Sequence, residues 1–297
     1  SATSYFPVIK SAFFLLGLSA GMYLPSAIAT ISDLFLPHQW GRAFGVHELA
    51  PNLAFLTAPL LTAMLLPQLH WQQYIRIFTL FSILSAIMYA IFGKGACLQG
   101  ARPNLHHCRS FIRMSEFWVM ILLFSMGITG TLGVYSILPM FLVSEHGMSE
   151  QSANMLVGLS RSTTLITAFL GGVLADRFGN RRTMAAVLLL TGLATALLGI
   201  GQEAMIGFRV WLQPVVAVCF FPPAFAVLSN IGSPETRNVV ISLSVPTSFV
   251  VGGGLIPALI SRMADMGLFS TGLVLTGLFI CSGSILVRLL PDKQQQQ

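Results

Sequence analysis

The chain has 297 residues, of which 55% are hydrophobic and 9% charged, with a formal net charge of +6 and a mean hydropathy of +0.79. Soluble domains carry about 25% charged residues, and no core of this size hides so much apolar surface, so a soluble globular protein is excluded. Membrane topology accounts for the positive balance, and no nucleic-acid partner is expected.

Apolar runs of about 20 residues cross roughly 30 Å of hydrocarbon. Nine are predicted, at about 12–32, 43–65, 74–92, 117–142, 152–175, 183–201, 206–229, 238–261 and 267–289. They are continuous, whereas barrel strands alternate, so the expected fold is all-α: a polytopic membrane protein lodged in a lipid bilayer. SATSYFPVIK, which opens the chain, lacks the charged segment and small-residue cleavage site of a signal peptide. In the second span, GRAFGVHELAPNLAF places Glu48 and Asn52 one turn apart. A membrane carboxylate either carries a proton once desolvation raises its pKa or pairs with a cation near the helix end. His47, at the helix entrance, is expected to be hydrated.

The connector GKGACLQGARPNLHHCRSFIR is polar and basic. Its Cys97, His106, His107 and Cys108 lack the paired two-residue spacing of structural zinc sites, so no metal is expected, and the four cysteines read as free thiols. In the fourth span Tyr135 lies beside Gly127, Gly130 and Gly133, where it lines a cavity or the glycines permit close helix packing. The fifth span contains Arg161, fifteen residues before Asp176 and so roughly 22 Å along the helix. Buried membrane cations face the bundle interior and mark substrate or ion pathways. Asn154 and Thr164, seven residues before and three after, are expected on the same face as Arg161. They would help it hold an anionic solute; the other readings are an internally paired arginine and one that snorkels to the interface. Arg209, four residues into its span, is expected to snorkel to the interface.

GGVLADRFGNRR, at 171–182, packs Asp176, Arg177, Arg181 and Arg182 into seven residues. Asp176 ends one helix and Gly179 permits a tight reversal. Each arginine gains about 1 kcal/mol on an anionic leaflet. Counting alternate loops, eleven of the sixteen cations (Arg42, Lys94, Arg102, Arg109, Arg113, Arg177, Arg181, Arg182, Arg237, Arg288, Lys293) fall on one side. Four (Lys10, Arg76, Arg209, Arg262) fall on the other, so the C-terminus is predicted to be cytoplasmic.

Pro25, Pro37, Arg42 and Pro59 stand 198, 197, 195 and 198 residues before Pro223, Pro234, Arg237 and Pro257, the near-constant offset of an internal duplication. On this reading residues 1–92 are the last three helices of one six-helix half. Residues 93–115 are a cytoplasmic linker, 116–290 a complete second half and 291–297 a polar tail. Three further spans would precede Ser1.

GGVLADRFGNRRTM resembles the loop signature of the major facilitator superfamily, which joins the second and third helices of a half. Gly172, Leu174, Ala175, Asp176, Arg177, Gly179 and Arg181 match it, and Asn180 stands where a cation is frequent. GLSAGMYLPSAIA is similar to that family's fourth-helix pattern at Gly17, Gly21 and Pro25, with Phe13 where its arginine would stand. The resemblance implies nine transmembrane helices (3 + 6) of a twelve-helix fold, working by alternating access. It also implies a contact from Asp176 to the helix starting at Gly41–Phe44, with Arg42. That contact acts as a conformational lock, or the loop is a topology anchor alone. The expected function is secondary transport of a small anionic solute, with a coupling proton or ion, by a monomer in the cytoplasmic (inner) membrane. Two alternatives stand beside it: a proton-coupled exporter of hydrophobic or cationic compounds using Glu48, and a truncated non-transporting fragment. No Walker loop, Rossmann glycine pattern, nucleophile elbow or His–Glu metal motif occurs, so no enzyme activity and no cofactor are expected.

Overall fold

A computed structural model describes residues 5–65, 68–93, 110–200, 203–232 and 236–290. Cys97, His106, His107 and Cys108, most of the expected linker and the polar tail lie outside the described residues. Among the described residues there is no strand. The long helices are α1 (Phe6–Leu34), α2 (Trp40–Leu65), α3 (Trp71–Phe92), α4 (Ser115–His146), α5 (Glu150–Phe178), α6 (Asn180–Ile200), α7 (Ile206–Leu228), α8 (Arg237–Asp265) and α9 (Phe269–Leu289). All except α2 are long and apolar enough to cross a membrane, making eight such helices among the described residues. The expected 43–65 span is helical too but falls outside that group.

Several helices depart from α geometry where the sequence weakens the ladder. Within α4, Thr129–Gly133 forms a π segment, flanked by Ser125 and Thr129 hydroxyls that donate to carbonyls one turn back. Such back-bonding competes with the helix and bends it. A second π segment, Val250–Leu255, interrupts α8, and the two meet: a Cβ on Gly133 would lie 2.7 Å from the Gly252 carbonyl. In α5, Arg161–Thr163 is a 3-10 turn, in a stretch where Ser160, Thr163 and Thr164 also back-bond.

Small residues set the closest crossings, as expected where lipid removes the hydrophobic drive and contact is van der Waals. α6 and α9 interlock at Gly192 and Gly277, and α2 meets α5 where Gly41 faces Gly172 and Gly45 faces Ala168. Phe44 of α2, Phe124 of α4 and Phe225 of α7 form an aromatic core with ring centroids 5.3–5.9 Å apart. By contrast, α3 has no buried residue. An apolar helix face left bare is compatible with surrounding hydrocarbon.

Candidate functional site

A cavity of about 460 Å³ lies between α1 and α2 on one side and α4, α5, α7 and α8 on the other. Tyr23, His47, Glu48, Asn52, Thr131 and Arg161 are its polar lining; the remainder is apolar and includes Phe55, Phe124, Phe221, Phe225 and Phe249.

Arg161 is only 3% exposed. Its Nη2 donates to the Thr131 carbonyl at 2.7 Å, inside the π segment of α4. Its guanidinium carbon sits 4.4 Å from the Tyr135 ring centre and 5.8 Å from that of Phe55. Among the described residues no Asp or Glu lies within ion-pair distance of it. A guanidinium has five N–H donors, so one carbonyl and two ring faces leave capacity directed at the cavity it lines.

The residues expected around Arg161 divide. Tyr135 reaches it, as a cation–π partner. Thr164 is buried, but its hydroxyl donates to the Arg161 carbonyl at 2.6 Å, bracing the 3-10 turn from behind. Asn154 is exposed, and its amide donates to the Glu150 carbonyl at 2.8 Å. Seven residues return to the same helix face but also climb about 10 Å, which leaves Asn154 at the end of α5 and outside the cavity lining.

Glu48 and Asn52 are both buried and both line the cavity, although the Asn52 amide donates to the Glu48 backbone carbonyl at 2.7 Å rather than to its carboxylate. His47 corrects the sequence reading. Its side chain is buried and wedged between Glu48 (Nδ1 to Oε1, 3.4 Å) and the Tyr23 hydroxyl (3.3 Å from Nε2). α1 lies over the helix entrance there, its Tyr23 ring 6.0 Å from the His47 ring. Arg209 is likewise buried, at 5% exposure, and donates to the Leu197 carbonyl at 2.9 Å near the end of α6, instead of snorkelling.

At one end of the bundle the Asp176 carboxylate caps the start of α2. Oδ1 accepts from the Gly41 amide at 2.8 Å, and Oδ2 accepts from the Arg42 amide at 3.0 Å and from Arg42 Nε at 2.9 Å. Negative charge at a helix N-terminus is favourable by up to about 2 kcal/mol when partly buried, and Asp176 is mostly covered while Arg42 is half exposed. Gly172 permits the approach, since a Cβ there would strike the Gly41 carbonyl. Gly179, at φ +90°, makes the reversal that L side chains resist. Arg177 stacks on Phe178, Arg181 donates to the Arg288 carbonyl at 3.0 Å, and Arg182 is exposed.

Two further residues matter here. Arg237 joins the same end: its Nη1 donates to Ser32 Oγ at 2.7 Å, its Nε to the Ser229 carbonyl, and its guanidinium lies over Trp40. Its place opposite Arg42 in the duplication was the available signal. Gln213 donates to the Gly130 carbonyl at 2.6 Å and to Thr195 Oγ1 at 3.2 Å; a lone Gln in an apolar span was the clue. Arg161 and Gln213 therefore hold adjacent carbonyls of one π segment. Among the described residues no group of His, Cys, Asp and Glu could hold a metal ion, and Cys219 and Cys281 are free.

A sequence profile described as Major Facilitator Superfamily matches residues 2–160 and 117–297. A multidrug resistance protein MdtH of Aeromonas salmonicida is 27% identical over 174 residues, covering 56% of this chain and 43% of the relative. A nitrite extrusion protein of Bacillus subtilis is 21% identical over 283 residues, covering 95% of this chain and 67% of that one. Among solved structures, the E. coli fucose:proton symporter FucP superposes with a TM-score of 0.71 at 14% identity, covering 91% of this chain and 73% of that one. A bacterial homologue of the iron transporter ferroportin, in an outward-facing state, also gives 0.71, at 15% identity over 97% and 75% of the two chains. The chain thus spans less than half of the multidrug relative and about two thirds of the nitrite relative.

Proposed function

The chain belongs to the Major Facilitator Superfamily, and from that premise we propose that it moves a small anionic solute by alternating access, with Arg161 as the anion's docking cation. The observation that carries this reading is a buried guanidinium facing a shared cavity with no carboxylate within ion-pair distance of it among the described residues, Glu48 lining the same cavity without pairing to it. A buried charge left without a counter-ion costs several kcal/mol, and an incoming anion supplies that counter-ion. The wall suits an anion with an apolar body, which Phe55, Phe124, Phe221, Phe225 and Phe249 would cover.

Asp176 and Arg42 act in this reading as the lock that holds the loop end of the bundle shut, helped by Gly172, Gly179 and Arg237. The unequal distribution of Lys and Arg supports placing that end, and the C-terminus, in the cytoplasm. Residues 1–92 and 116–290 move against each other as the two bodies, in a monomer in the cytoplasmic membrane. Uptake by the whole protein with Arg161→Ala tests the assignment: anion transport is expected to be lost, and undiminished transport refutes it.

A second reading rests on Glu48. Buried, in contact with His47 and lining the same cavity, it suits a proton-coupled exporter of hydrophobic or cationic compounds. Glu48→Gln separates the two readings. Loss of proton-driven transport with preserved preference for cations supports the exporter; unchanged anion transport supports the Arg161 reading.

A further inference from the structure

A second cavity, about 670 Å³, opens between the start of α6 and the end of α9, away from the central one. Arg181, Arg182 and Arg288 line it together with Phe178, Leu189 and Val287. The Arg181 guanidinium donates to the Arg288 backbone carbonyl, tying the two helix ends together and gathering the three arginines. Three arginine side chains thus border one hollow. The apolar lining has a direction. Leu189 is eight residues beyond Arg181, roughly 12 Å deeper along α6, and both Phe178 and Leu189 present exposed apolar surface. The cations mark the end of two membrane helices, and the greasy floor runs from there into the span.

From this geometry we infer that the hollow is a binding site for an anionic phospholipid, its headgroup phosphate held by Arg181, Arg182 and Arg288 and an acyl chain lying along Leu189. Basic pockets between membrane helices suit such headgroups. A free phosphate shares the headgroup chemistry but leaves the apolar floor bare, so the lipid is the occupant that satisfies both parts. The inference stands apart from the identity of the transported solute.

Purified protein in neutral detergent, given phosphatidylglycerol, phosphatidylcholine or inorganic phosphate, tests it by native mass spectrometry and thermal unfolding. Phosphatidylglycerol is expected to stay bound and raise the unfolding temperature; the other two are not. In Arg182→Gln/Arg288→Gln its retention is expected to fall about 30-fold. That variant leaves the Arg181–Arg288 tie intact, because the tie uses a backbone carbonyl. Leu189→Asn is expected to weaken retention of the lipid. Equal retention of both lipids, or a phosphatidylglycerol preference surviving the double variant, overturns the inference. Equal stabilisation by inorganic phosphate also overturns it, in favour of a free-anion site.

Discussion

Arg161 reaches thirty residues back along the chain to hold the Thr131 carbonyl at 2.7 Å, and that carbonyl belongs to a π segment of the neighbouring helix. The residue assigned to the solute is therefore also a brace for an irregular turn. An anion that draws the guanidinium toward itself competes with this bond, which links occupancy of the cavity to the geometry of α4.

The two roles separate by substitution. Arg161→Gln keeps an N–H donor for Thr131 and removes a buried charge that lacks an ion-pair partner, so the unfolding temperature of the ligand-free protein is expected to hold or rise. Anion affinity is expected to fall about 10–100-fold, the worth of a charge-assisted hydrogen bond. Scanning calorimetry and uptake kinetics on the same preparations check both halves.

Asp176→Ala removes three acceptor contacts from the start of α2. A lost cap costs about 1–2 kcal/mol, shifting a two-state balance by roughly 5–30-fold. A cysteine placed at Ala168, buried where α5 meets Gly45, is expected to react several-fold faster with a maleimide in this background. Unchanged labelling reduces Asp176 to a topology anchor.

Gly172→Ala is expected to force α5 off α2, because the new Cβ meets the Gly41 backbone; overpacking of this kind costs about 1–3 kcal/mol. Gly158→Ala, on the same helix with open space around it, is the control and should be neutral in both unfolding temperature and transport.

Gln213→Leu strands the Gly130 carbonyl and leaves Thr195 without its side-chain partner. Leaving a buried acceptor unmade costs about 1–3 kcal/mol, so a lowered unfolding temperature is expected, with anion preference retained because Gln213 does not line the cavity.

Helix positions and the charge knot were legible in the sequence because both are local: twenty apolar residues must be helical in lipid, and GGVLADRFGNRR marks its own turn. Long-range packing was not. Asn154 shares a helix face with Arg161 by count, yet the rise of α5 carries it out of the cavity. His47 reads as an entrance residue until α1 is laid over it. The π segment at Thr129–Gly133 left only a glycine- and threonine-rich trace, and nothing local said that Arg161 and Gln213 would come to hold its carbonyls.

The most direct measurement is equilibrium binding of small aromatic carboxylates and their uncharged amides to the wild-type protein and to Arg161→Gln. The account predicts that the wild type prefers the carboxylate by about tenfold or more and that the preference disappears in the variant. A carboxylate preference that survives Arg161→Gln, or a wild type that favours the amides, contradicts it.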